Sequence, residues 1–177
     1  ETFTIQGSGT AFSSELVKGQ KVCFVNGTQR SATYTVASIP DDFNRLDDLV
    51  FLYLDLLDAL DLKNVALMGF SMGGWIAAEL AAINMSRLSK LILVDSVGVK
   101  VGGREDRDIA DVFALPYEKV AELTYHDPSM APVPADIPDQ QLHIIAANQI
   151  ALGVYTWEPY MHNPKLPRRL HRIKIPT

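Results

Sequence analysis

Residues 64–81, NVALMGFSMGGWIAAELA, run from an apolar stretch through a group of glycines into an alanine-rich stretch. Val65 to Met68 is an unbroken apolar run of strand length, the pattern of a parallel strand buried on both faces. From Gly74 onward Ala, Leu, Ile and Glu dominate, with Trp75, Ala78 and Ala82 at helical spacing, so a helix follows. Ser71 therefore falls on the turn between a strand and a helix. Gly69-Phe70-Ser71-Met72-Gly73 reads G-x-S-x-G. A turn this tight holds the serine in a strained backbone conformation, and a side chain two residues before or after it would meet the neighbouring strand or helix. Glycine at 69 and at 73 predicts that both collisions are avoided.

That context is the one required of a nucleophile elbow. The Oγ of Ser71 is expected above the carboxyl end of a sheet, with the N–H of Met72, at the helix start, aimed where an oxyanion would form. The alternative is a glycine-rich turn in which Ser71 only caps the helix. A strand before, a helix after and the additional Gly74 favour the elbow.

On these residues the chain resembles the α/β-hydrolase fold family. Upstream, RLDDLVFLYLDLLDALDLKNVALMGFSMGG is similar to the family's helix leading into the elbow strand. Downstream, LSKLILVDSVG resembles the next parallel strand, and RLHRIKIPT resembles the approach to the strand after it. The resemblance implies an α/β fold, a mostly parallel sheet with flanking helices and a helical cap. It divides the chain into a core over 1–97, a helical cap over 98–165 and a return to the core over 166–177. It also implies a carboxylesterase-like serine hydrolase with Ser71 as nucleophile, a Ser-Asp-His triad, a small ester-like substrate, and no metal or organic cofactor. An aspartate stands in the nucleophile position of haloalkane dehalogenases and epoxide hydrolases, so Ser71 argues against their chemistry. Amidase, lactonase, perhydrolase and carbon–carbon bond hydrolase chemistry would use the same residues.

Composition sets bounds. The chain of 177 residues has the size of one ordinary domain, and 47% hydrophobic residues suffice for a core. A net charge of −5 argues against nucleic acid as a partner, and the basic cluster Lys165 to Lys174 reads as a solvated face. The single cysteine, Cys23, can form no internal disulfide. No apolar run is long enough to span a bilayer and no signal-peptide pattern opens the chain, which favours a cytoplasmic setting. The start at Glu1, without a methionine, suggests a trimmed front.

TFTIQG and KVCFVNG read as early strands, and Asn26-Gly27 between KVCFV and TQRSATYTVA predicts a hairpin. Asn44 is the expected N-cap of a helix with Leu46, Leu49, Val50, Tyr53, Leu54, Leu57 and Leu60 on one stripe. Asp47, Asp48, Asp55 and Asp58 fall mostly outside it, as a solvated face. KLILVD is a strand ending at Asp95. Beyond Gly98, prolines punctuate the short helical patterns DIADVFAL, EKVAELTY and DQQLHIIAANQIAL, where the family carries its cap. Tyr155, Trp157, Tyr160 and Met161 either line an apolar pocket there or pack the cap on the body.

Measured against the family, the fold reads as incomplete at the N-terminal side and at the C-terminus. The triad order is Ser, then acid, then His, which sets the acid strand and the histidine beyond Thr177. His126, His143, His162 and His171 all fall in the cap or its exit. Asp95 is the substitute acid, since some members of the fold carry the acid after this strand; otherwise it ends the strand. The stretch from Thr28 to Phe43 is too short for the family's strand-helix-strand passage, so VNG stands in for the usual oxyanion turn, with the N–H of Thr28 as second donor, or is a plain hairpin. An uncovered KLILVD edge predicts self-association, unless Leu166 to Thr177 covers it. Two functions follow: a serine hydrolase, or a hydrolase-fold module that binds a small apolar ligand without catalysis.

Overall fold

The computed structural model describes residues 4–5, 21–26, 29–36, 43–103 and 105–177. At the front, β1 (Thr4–Ile5), β2 (Lys21–Asn26) and β3 (Gln29–Val36) form a sheet in the order β1-β3-β2. β1 runs parallel to β3, with Thr4 beside Thr35 and Ile5 beside Val36. β2 runs antiparallel to β3 from Lys21 opposite Thr35 to Asn26 opposite Gln29, with an irregularity between Phe24 and Asn26. The expected hairpin is therefore present. Asn26 is itself a paired strand residue, however, and the two residues that join the strands, Gly27 and Thr28, lie outside the described ones.

Helix α1 (Leu46–Ala59) buries Leu49, Val50, Leu56 and Leu57 and leaves Asp47, Asp55 and Asp58 exposed, as an amphipathic surface helix should. Its N-cap is Arg45 rather than Asn44. The Asp48 carboxylate decides this: it reaches back to accept the N–H of Arg45 at 2.8 Å and of Asn44 at 3.1 Å, the reciprocal half of a capping box. The helix ends in a Schellman arrangement. Asp61 takes φ 45 and donates its N–H to Asp58 O at 3.0 Å, and Leu62 N–H donates to Leu57 O at 3.0 Å.

β4 (Val65–Phe70) follows, then α2 (Met72–Ile83) and β5 (Leu88–Val94). β4 and β5 are parallel, from Val65 beside Leu88 to Phe70 beside Val94. β2 comes close to β4 without joining its ladder. One core fills the space between this parallel pair and the two helices: Val50 and Leu57 of α1, Val65 of β4, Ala77, Leu80 and Ala81 of α2, and Leu88 and Leu91 of β5. Alanine on α2 lets the helix lie close to the strands. Ile173 and Ile175 pack against the same cluster, and Pro176 O accepts the Leu91 N–H at 2.9 Å on the outer side of β5. The opposite face of β4 leaves Met68 52% and Phe70 61% exposed.

Residues 98–165 hold α3 (Tyr117–Thr124), α4 (Asp139–Thr156) and two short 3-10 turns at Pro128–Met130 and Pro134–Asp136. DIADVFAL, expected as a helix, is a series of turns. Its aspartates explain this by bonding backbone in place of a helix ladder. Asp111 Oδ1 accepts the N–H of Phe113 at 3.2 Å and of Ala114 at 3.1 Å, and Asp108 accepts the N–H groups of Val101 and Gly102. Among the described residues no helix is long and apolar enough to cross a membrane.

Leu80 is 1% exposed and central to this core, whereas Phe51 is 54% exposed on α1. Leu80→Ala is expected to cost about 2–5 kcal/mol in urea unfolding. Phe51→Ala should stay within about 0.5 kcal/mol.

Candidate active site at the β4–α2 turn

Ser71 joins β4 to α2 with φ 47 and ψ −119, a conformation disfavoured for any residue with a Cβ. Its backbone is fully engaged. The N–H donates to Val94 O at 3.0 Å, and the carbonyl accepts from Gly74 at 3.0 Å, Trp75 at 3.2 Å and Val97 at 3.3 Å. The side chain is exposed, and among the described residues no hydrogen bond reaches its Oγ. Met72 opens α2, so its N–H has no acceptor within the helix.

The turn depends on close backbone approach. A Cβ on Gly69 would stand 2.3 Å from Gly73 O, so glycine is required there. The steric reason expected for Gly73 does not hold, since a Cβ on it would meet nothing within 4 Å among the described residues. The second collision belongs to Gly74, whose Cβ would stand 1.9 Å from Ser96 Oγ and 3.1 Å from Gly69 O. Gly73 contributes the backbone that Gly69 touches, not a vacant side-chain position.

Asp95 follows β5 directly, at φ 46, and its exposed carboxylate meets no hydrogen-bond partner among the described residues. Three residues on, Gly98 takes φ +104 against the Trp75 ring, which a Cβ would approach to 2.4 Å. Gly98 also donates its N–H to Met161 O at 2.8 Å and accepts from Asn163 N–H at 2.9 Å. The start and the return of the 98–163 segment are thus fastened side by side on the elbow helix. Buried Glu79, one turn beyond Trp75, reinforces the fastening. It accepts from Trp75 Nε1 at 3.4 Å and from Asn163 Nδ2, and pairs with Arg169 at 3.5 Å. Sequence reading missed Trp75 and Glu79 in this role, because their partners are remote in the chain.

Of the four aromatic and methionine residues read as pocket or packing, Tyr155 does both, packing on the body and bordering a cavity of about 530 Å³. It is buried with Leu49 against Phe43, Leu46, Leu52, Ile76 and the side chain of Met72, and its hydroxyl donates to Phe43 O at 2.9 Å. Burial, with the Asp48 charge as a smaller cause, pushes the Tyr155 pKa up to about 12. Trp157, Tyr160 and Met161 line a cavity of about 340 Å³ together with Lys100, Asp108 and His162. Backbone hydrogen bonds from Gly102 and Val101 hold the Asp108 carboxyl below its usual range. The cavity of about 530 Å³ lies between the α1 start, α2 and residues 154–169. Ser71 lines neither.

His126, His143 and His171 are exposed, and His162 is half-buried with Nδ1 2.8 Å from Tyr160 O; none is hydrogen-bonded to Ser71. Among the described residues there is no group of three His, Cys, Asp or Glu that would hold a metal ion. Thr28, the expected second oxyanion donor, lies outside the described residues.

A strand, an exposed serine at positive φ and a helix start follow one another here, the order expected of the G-x-S-x-G turn. Residues 19–142 match the family model of the alpha/beta hydrolase fold, and the chain belongs to that family. No curated protein is similar enough to the chain to count as a match.

Two measurements check the geometry. Gly74→Ala is expected to cost about 1–3 kcal/mol through overpacking on Ser96. Gly73→Ala should be neutral or stabilise by up to about 1 kcal/mol, since alanine is the better helix former. Tyr155 provides the second. Its folded pKa is raised above the ordinary 10.0 to about 12, so its contribution to stability is complete below pH 10 and is lost as pH rises toward about 12. In a tyrosinate absorbance titration, Tyr155→Phe should remove one late ionisation, and should flatten the alkaline loss of stability in that window.

Proposed function

We propose that the chain is a carboxylesterase-like serine hydrolase acting on small esters or related acyl compounds, with Ser71 as nucleophile. The observation that carries this reading is Ser71 held at φ 47, exposed, on the turn between β4 and α2. Such strain costs about 1–3 kcal/mol and has little structural use. In the proposed reaction Ser71 Oγ attacks the acyl carbon as a histidine takes its proton, and the carbonyl oxygen becomes an oxyanion that accepts from Met72 N–H. Collapse expels the alcohol, which receives the proton from that histidine, and water then hydrolyses the acyl-serine by the reverse roles.

Asp95 is the proposed orienting acid, by its position at the β5 exit close to the elbow. Thr28 N–H is the proposed second oxyanion donor. Residues 98–165 are proposed as a cap that shapes the substrate pocket and excludes water, because both ends of that segment are fixed on the elbow helix. No metal or organic cofactor has a part in these steps.

A second reading has one observation in its favour: no histidine among the described residues is hydrogen-bonded to Ser71. On that reading the fold serves as a binding module without turnover. Both are tested by treating the chain with a fluorophosphonate and mapping the adduct by mass spectrometry, alongside hydrolysis of p-nitrophenyl acetate. Slow labelling confined to Ser71 is expected, with ester turnover reduced on the order of 10⁴-fold from that of a complete triad. An adduct elsewhere, or turnover unchanged in Ser71→Ala, would remove Ser71 from the mechanism. Fast turnover abolished by Ser71→Ala would instead place a working base within these 177 residues.

A further inference from the structure

The cavity of about 340 Å³ joins the loop after β5 to the stretch after α4, and its volume is within the ~300–1,000 Å³ usual for small-molecule sites. Its charges are already matched inside the protein. Asp108 accepts from Val101 and Gly102 N–H and lies 4.0 Å from Lys100; Asp111 accepts from Phe113 and Ala114 N–H and lies 3.5 Å from Arg107. Asp106 accepts the Gly103 N–H, and Lys100 also donates to Asp106 O. An entering ion would have to displace these contacts, so the cavity suits a neutral guest.

Its wall is aromatic. Trp157 and Tyr160, with Phe113 behind them, meet edge to face at centroid distances of 5.9, 6.3 and 6.1 Å. Tyr160 is fixed in place, its hydroxyl donating to Ala110 O at 2.7 Å and accepting from Val112 N–H at 3.2 Å. Trp157 is nonetheless 58% exposed, where Trp75 is 4% exposed. An indole packed edge-on against two rings and left open offers stacking area to a ligand.

His162, at the border of both cavities, lies close enough to Asp108 to help hold that carboxyl below its usual range, and one of its ring nitrogens is left without a hydrogen bond among the described residues. His162 Nδ1 lies 2.8 Å from the Tyr160 carbonyl, which can only accept, so Nδ1 carries the proton. In the neutral ring Nε2 is then a bare acceptor, and no donor among the described residues reaches it.

We propose that this cavity binds a neutral aromatic alcohol, a phenol in the simplest case, with its ring against Trp157 and Tyr160 and its hydroxyl donating to His162 Nε2. The site is separate from Ser71, and the inference stands whether or not Ser71 is a nucleophile. It is tested by titrating the native chain with 4-methylphenol and with 4-methylanisole, which lacks the donor, by ligand-observed saturation-transfer NMR. The phenol should bind about tenfold more tightly than the ether, the effect of one hydrogen bond left unmade. His162→Phe should bring the two ligands to equal affinity, and Trp157→Ala should weaken both alike. Equal affinities in the native chain, discrimination that survives His162→Phe, or no saturation transfer to either compound would overturn the proposal. Tighter binding of benzyltrimethylammonium than of the phenol would also overturn it, by making the carboxylates the recognition element. The native-chain comparison decides even where a variant fails to fold.

Discussion

The approach of Gly69 to the first turn of α2 is the constraint on which the rest of the molecule depends. With 2.3 Å between a hypothetical Gly69 Cβ and Gly73 O, the helix leaves the strand at an angle that no side chain at 69 would allow. Ser71 is forced to φ 47 as a result, and its backbone becomes the junction of three elements. Val94 carbonyl at the end of β5 receives its N–H, and Val97 N–H beyond β5 reaches its carbonyl. The exit of β5 is thereby wrapped round the elbow, and Ser96 enters the space above Gly74. The strain of about 1–3 kcal/mol at one such residue is small beside the burial of Leu57, Leu80 and Leu91 directly below, each worth about 1.5–3 kcal/mol. The fold holds the serine in this state through the close Gly69–Gly73 approach and the hydrogen bonds of its N–H and carbonyl.

What was legible in the sequence is what is local. β4, α2 and β5 announced themselves through an apolar run, a glycine turn and a second apolar run, and the α1 stripe followed from periodicity. Two of the misreadings involve short acidic side chains that chose backbone over the pattern. Asp48 moved the N-cap of α1 from Asn44 to Arg45, and Asp108 and Asp111 replaced the expected DIADVFAL helix by turns. Gly73 was misread for a different reason: the motif marks the glycine, and only the backbone path tells that the collision falls on Gly74. Glu79 and Asn163 are far apart in the chain, and no periodic signal links them. His162 gave no signal at all, because its availability rests on a carbonyl two residues away that fixes its tautomer.

Gly98 connects the elbow to the cavity of about 340 Å³ that His162 borders. The indole of Trp75 lies on it, Met161 and Asn163 bond to its two backbone groups, and His162 stands between them. Spatial intermediacy of this kind does not make a switch, because coupling requires an element with two arrangements that each site biases differently. The contacts of this junction hold it in a single arrangement. A glycine pressed on an indole at φ +104 cannot slide without losing both flanking hydrogen bonds. The buried Glu79 carboxylate would lose its donors Trp75, Asn163 and Arg169 together, leaving a charge without compensation in the interior, at a cost of several kcal/mol. The interlock therefore serves position rather than signal. It keeps the return of the 98–163 segment at a fixed distance from the elbow, so that the His162 cavity and the Ser71 turn are two walls of the same frame.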